Sequence, residues 1–155
     1  MRVLGIDPGS YHCGYAVLDS NGGKPAWLEC GTIDLPKKDA LPVRLKTIGD
    51  DIADLITQYS PDAIACEDIY SGPYPRSGLV LSHVRGVIMY ISQSKNIPIT
   101  IYPAKTVKLA IGGSGNAKKE ALRAMACNIL GITTMPNLDA SDALSIALCH
   151  IFSRR

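Results

Sequence analysis

Three short apolar runs separated by tight turns fill the first 34 residues, and nothing later in the chain repeats that arrangement. Residues 2–7 end on Asp7 and lead into Asp7-Pro8-Gly9-Ser10, a turn in which Pro fixes φ and Gly permits positive φ. Residues 12–18 read as a second strand, Asp19 to Gly23 as a hairpin turn, and residues 26–34 as a third strand. Strands joined by turns this short run antiparallel, so the chain opens with a meander.

The period then changes. From Val43 to Tyr59 apolar residues recur at helical spacing, and Ser60-Pro61-Asp62 stops that helix. Ala63–Glu67 is a short buried strand reached through a helix, so it is expected to pair parallel to the first. A Gly/Pro loop over Asp68 to Ser77 leads to a helix over 78–95 whose apolar face is wide enough to hint at a second partner. A strand over 97–102, a short helix opened by Pro103, a helix over 117–130 ended by Gly131 and a last helix from about Asp139 to Phe152 complete the order. The expected class is α/β: a mixed five-stranded sheet, three antiparallel N-terminal strands plus two parallel ones, flanked by helices. At 155 residues, with no repeat or linker, residues 1–155 are expected to form one domain.

Composition excludes several classes. An apolar content of 46% with 19% charged residues belongs to a globular chain, not a disordered one. Asp7 interrupts the N-terminal apolar run, and no stretch approaches the roughly 20 apolar residues that cross a bilayer. A cytoplasmic protein without a membrane partner is therefore expected. Cys13, Cys30, Cys66, Cys127 and Cys149 are scattered with no C-x-x-C, against both a disulfide framework and a zinc site. The net charge of +2 does not announce a nucleic-acid binder, but Lys105, Lys108, Lys118, Lys119 and Arg123 cluster with only Glu120 among them.

Four acids stand where regular elements begin or end: Asp7, Glu67, Asp139 and Asp142. Taken singly, Asp7 reads as a turn cap, and Asp139 and Asp142 as first-turn acids complementing a helix dipole. Glu67 has no role in turn chemistry. Taken together they are harder to dismiss, because carboxylates beside core elements need a compensating partner. If the strand ends converge, two divalent cations would relieve the repulsion, and hard oxygen ligands suit Mg²⁺ or Mn²⁺. Such a cage is a phosphodiester-cleaving site. Gly112 to Lys119 could cradle a phosphate, with Lys105 and Lys108 adding to that basic surface. Tyr70, Tyr74 and Arg76 are expected on the loop after Glu67, where an aromatic could stack on bases.

The strings Gly5-Ile6-Asp7-Pro8-Gly9-Ser10, Glu67-Asp68-Ile69-Tyr70, Val84-Arg85-Gly86, Gly113 to Lys119 and Asp139-Ala140-Ser141-Asp142-Ala143-Leu144 resemble the RuvC family of Holliday-junction resolvases, in order and over almost the whole chain. The resemblance implies a ribonuclease H-like fold and a homodimer joined through the helix at about 78–95. It implies Mg²⁺-dependent, paired symmetric nicks in a four-way DNA junction, leaving 5′-phosphate ends, in recombination and repair. Asp7, Glu67, Asp139 and Asp142 match the family's metal-binding acids, and some relatives carry His in place of Asp139. Lys119 and Lys108 match its functional lysines, and Tyr70 falls where the family carries a base-contacting aromatic. Arg76, Lys105 and Lys118 join these as expected DNA contacts, and a branch-migration complex is left open as a partner. Two other readings follow from the residues: a nuclease of the same fold acting on RNA–DNA hybrids, and a non-catalytic junction-binding module.

Overall fold

The computed structural model describes residues 1–21, 23–69, 75–133 and 138–154. In chain order the elements are β1 (Arg2–Asp7), β2 (His12–Asp19), β3 (Ala26–Asp34), α1 (Leu41–Tyr59), β4 (Ala63–Glu67), α2 (Pro75–Ser94), β5 (Ile99–Tyr102), α3 (Ala104–Gly112), α4 (Lys119–Leu130) and α5 (Leu138–Ser153). The sheet runs β3-β2-β1-β4-β5. The β1–β2 and β2–β3 pairs are antiparallel, and the β1–β4 and β4–β5 pairs are parallel. The ends of β1, β4, β5 and β3 and the start of β2 therefore share one end of the sheet.

Strand alternation divides the core. Val3 and Ala65 face the layer of α3, α4 and α5, whereas Leu4, Ile6, Ile64 and Cys66 face α1 and α2. By the same parity, Asp7 and Glu67 extend the row that faces α5. That helix is heavily buried: Ala140, Ala143, Leu144, Ala147 and Leu148 are all inaccessible to solvent. Its approach depends on glycine. A side chain at Gly5 would run into the Ala143 carbonyl and the Ala147 side chain, and one at Gly14 into the backbone of Asp139. Two missing side chains thus let α5 lie on β1 and β2. Gly5→Ala is expected to destabilise the fold by about 3 kcal/mol, because backbone cannot yield as a flexible side chain does. Thermal melting checks this.

The structure shifts several expected boundaries. The helix expected from 78 starts at Pro75, since the first helical turn tolerates a residue that lacks an N–H. Arg76, expected on the preceding loop, is therefore in the first turn of α2. The helix expected from Ala117 starts at Lys119, because Lys118 is an extended cap at φ −73°, ψ 152°. Strand β5 starts at Ile99 rather than 97, after Asn96 turns the chain at φ 56°. Tyr70 and Tyr74 lie outside the described residues. His12 is exposed and Cys13 buried, as alternation along β2 requires. His150 is buried in the core, with its Nδ1 3.0 Å from the Tyr102 hydroxyl. Among the described residues no helix is long and apolar enough to cross a membrane.

Candidate active site

Asp7, Glu67 and Asp142 meet in one cleft of about 140 Å³, lined also by Lys108, Lys119, Ala104, Val107 and Leu122. Each side chain arrives on a different element. Strand β1 delivers Asp7 and its parallel neighbour β4 delivers Glu67, so both project from the same end of the sheet. Asp142 comes from the start of α5, which the small residues of β1 and β2 admit against the sheet. Lys108 lies on α3, and Lys119 opens α4. Val107 and Leu122 are core residues and give the cleft an apolar wall.

This crowding changes the acids. Burial, then the nearby carboxylates of Glu67 and Asp142, push the Asp7 carboxyl up to about 8, against the pull of Lys119. Glu67 is raised by burial and by Asp142, while Lys119 and Lys108 oppose the shift. Lys119 donates to Asp142 at 2.7 Å, and that hydrogen bond holds its ammonium protonated above the usual lysine range. Three carboxyl groups share the cleft with two lysines. Its donors are carboxylate oxygens, the chemistry that hard divalent cations take. Among the described residues no three acidic, His or Cys side chains yet form a closed metal-binding group.

The other expected site residues fall at graded distances. Asp139 sits one helical turn before Asp142 and adds only the weakest of the charges felt by Asp7. It does not line the cleft, because its backbone is pressed onto Gly14. Lys105 lines an adjoining groove of about 430 Å³ with Asp68, Lys108, Gly115 and Asn116. Gly115 has no side chain where the Lys105 stem lies, so the expected cradle serves to seat that lysine. Gly113 caps α3 at φ 69°. Lys118 lines neither space. Asp68 reads in the sequence as a loop residue facing solvent. The structure ties it to Arg85 of α2 by an ion pair, and its N–H donates to the Tyr102 carbonyl. No local signal announces that pair, whose members are 17 residues apart.

Comparison with known proteins turns this geometry into a family assignment. The family profile described as "Crossover junction endodeoxyribonuclease RuvC" matches residues 3–150. The chain belongs to the RuvC family. A RuvC of Ralstonia pickettii is 38% identical over 150 residues, covering 97% of this chain and 83% of that protein. A RuvC of Trichlorobacter lovleyi is 38% identical over 153 residues, covering 99% and 86%. Among solved structures, T. thermophilus RuvC in complex with Holliday junction substrate superposes with a TM-score of 0.94 at 28% identity, covering 100% of this chain and 95% of that one. The mixed sheet with its flanking helices is thus the ribonuclease H-like fold of RuvC endonucleases.

Proposed function

We propose that this RuvC-family chain is a structure-selective endonuclease that resolves four-way DNA junctions. The supporting observation is the convergence of Asp7, Glu67 and Asp142 with Lys108 and Lys119 in one cleft at the end of the sheet. The proposed nuclease domain is residues 1–155, and the proposed cofactor is a pair of Mg²⁺ ions, for which Mn²⁺ can substitute. Asp7, Glu67 and Asp142 would hold the metal, with Asp139 completing the set from the rim. When bound, the metal supplies Lewis-acid activation of water and charge stabilisation at the scissile phosphate.

The chain's own residues do the rest. The apolar wall of Val107 and Leu122 limits water at the acids and strengthens every charge interaction there. Lys119 and Lys108 place positive charge at the mouth of the cleft, where a phosphate gains negative charge during cleavage. Lys105 and Lys118 extend that charge along the incoming strand. Tyr70 and Arg76 are proposed as contacts to the opened junction. In-line attack by water would leave 5′-phosphate and 3′-hydroxyl ends. Two symmetric nicks follow from a homodimer, since a two-fold protein matches a nearly two-fold junction.

The proposed dimer surface is α2. Leu79 and Tyr90 stand 60% and 71% exposed beside Met89. A largely apolar groove of about 500 Å³ runs between Leu45 of α1 and Ser82, His83, Gly86, Val87 and Tyr90 of α2. Tyr90→Glu is expected to yield monomers in analytical ultracentrifugation and to replace paired cuts by single nicks. A monodisperse dimer in that variant would move the interface elsewhere. The reading as a whole is tested by incubating the protein and Mg²⁺ with a synthetic mobile junction, a linear duplex and an RNA–DNA hybrid. Paired symmetric nicks in the junction alone support it. Preferential cutting of the hybrid would replace the substrate, and tight junction binding without cleavage would leave a binding module.

A further inference from the structure

A second basic group stands at the same end of the sheet, across the acids from Lys108 and Lys119. Tyr11 follows the Asp7-Pro8-Gly9-Ser10 turn directly, and the residue is 38% exposed. The Lys37 ammonium lies 5.0 Å from the centre of that ring, and the Arg44 guanidinium carbon 4.9 Å. Both distances are within cation–π range. Arg44 also donates to the Ser10 carbonyl at 2.6 Å. The two cations are thus held by an aromatic ring and a carbonyl. Among the described residues neither has a carboxylate partner within ion-pair distance.

The surroundings reinforce this. Lys38 is exposed next to Lys37, and α1, which begins at Leu41, has no acid in its first turn, where acids complement the helix dipole. Asp34 lies 2.9 Å from the His12 ring and Asp39 forms no ion pair among the described residues, so this segment sets the three cations Lys37, Lys38 and Arg44 against two carboxylates. Holding two cations together without an anion costs repulsion, which a bound polyanion removes. Lys37 follows the end of β3, and Lys105 follows the end of β5. Four interstrand spacings separate those strands, roughly 19 Å. That span is too long for one phosphate and shorter than the roughly 34 Å of one duplex turn.

We infer that Tyr11, Lys37 and Arg44 form a second DNA-backbone contact, gripping a duplex arm on the β3 side of the catalytic acids. The inference rests on the nuclease reading above. It assigns to the sheet end two electrostatic margins, the lysines of α3 and α4 on one side and this cluster on the other. Tyr11 acts as a positioning residue, because its ring aligns the cations while the cations meet the phosphates.

The test is junction and duplex binding without divalent metal over a salt series. Lys37→Ala is expected to lower the slope of log affinity against log salt by about 0.9, the value of one phosphate contact, and to weaken binding roughly 3- to 10-fold at 0.1 M salt. Tyr11→Ala should lose affinity similarly and Tyr11→Phe should retain it, since the ring, not the hydroxyl, faces the cations. Lys95→Ala is the control, because Lys95 follows α2 at the opposite end of the sheet. An unchanged slope in both Lys37→Ala and Lys37→Ala/Arg44→Gln overturns the inference. So does a loss confined to melting temperature, which would make the cluster a brace for the turn. If the unsubstituted chain neither binds nor cuts a junction, the nuclease reading itself has failed, a result distinct from either.

Discussion

The Asp7→Asn variant is expected to hold a four-way junction as tightly as the unsubstituted chain and to cut it slower by roughly 10³-fold or more. The amide keeps the size of the side chain and one neutral oxygen, but removes the charge and the second oxygen that make the carboxylate a strong donor at the centre of the acidic set. Junction affinity should survive, because it is carried by lysines and not by the acids. Gel-shift and cleavage assays on one junction separate the two effects. Full activity in this variant would sink the assignment of Asp7 to the metal.

The same substitution should act on stability in the opposite direction. In the folded chain the Asp7 carboxyl titrates near 8 instead of 3.8. The native state therefore holds that proton more tightly than the unfolded chain does. The linked stability is fully present below about pH 4 and is lost as the pH rises through about 8. The melting temperature of the metal-free protein should fall across that window. Asp7→Asn removes the fall, stabilising the fold at pH 8 by about 2 kcal/mol, or roughly 4–8 °C. Added Mg²⁺ should stabilise the unsubstituted chain more at pH 8 than at pH 5, and the variant should lose most of that gain. Differential scanning fluorimetry reads all of these. A melting temperature independent of pH between 4 and 8 without metal would remove the case for a charge-frustrated cleft.

Much of this cleft is legible in the sequence. Strands β3 and β4 have the bounds that alternation and turn signals give, at 26–34 and 63–67. Parity along Val3, Gly5 and Asp7, and along Ala63, Ala65 and Glu67, carries both acids to one face. The helix starts were less legible. Pro75 follows a Gly/Pro-rich string that reads as loop, yet proline is at home in a first helical turn. Ala117 favours helix, yet the chain stays extended through Lys118. Spacing alone places Asp139 and Asp142 on one face of α5, and only Asp142 lines the cleft. Which of the two does so depends on how Gly14 seats the helix start, a packing fact between distant segments. The same limit hid the Arg85–Asp68 pair and the two cations over Tyr11, whose partners lie on separate elements.

Lys119→Met should reduce junction cleavage by roughly 10²- to 10³-fold, the size of effect seen when one charge-stabilising donor is lost. Lys119 does two things in this cleft. It neutralises Asp142 across 2.7 Å, and it lowers the proton affinity of Asp7 and Glu67. The bond to Asp142 raises its own proton affinity, so Lys119 remains charged throughout the neutral range and does not set the pH profile. Removing it should therefore shift the acid limb of the cleavage profile to higher pH, because Asp7 and Glu67 lose an opposing charge and keep their protons longer. That part of the defect is competitive with metal, so more Mg²⁺ should recover it. The part due to the missing charge at the phosphate should persist at every Mg²⁺ concentration. Lys119→Arg, which keeps the charge but spreads it over a planar fork, should hold the pH profile in place and recover only part of the rate. A Lys119→Met enzyme whose rate is fully restored by Mg²⁺ would reduce the lysine to a counter-charge for the acids, with no part in stabilising the reacting phosphate.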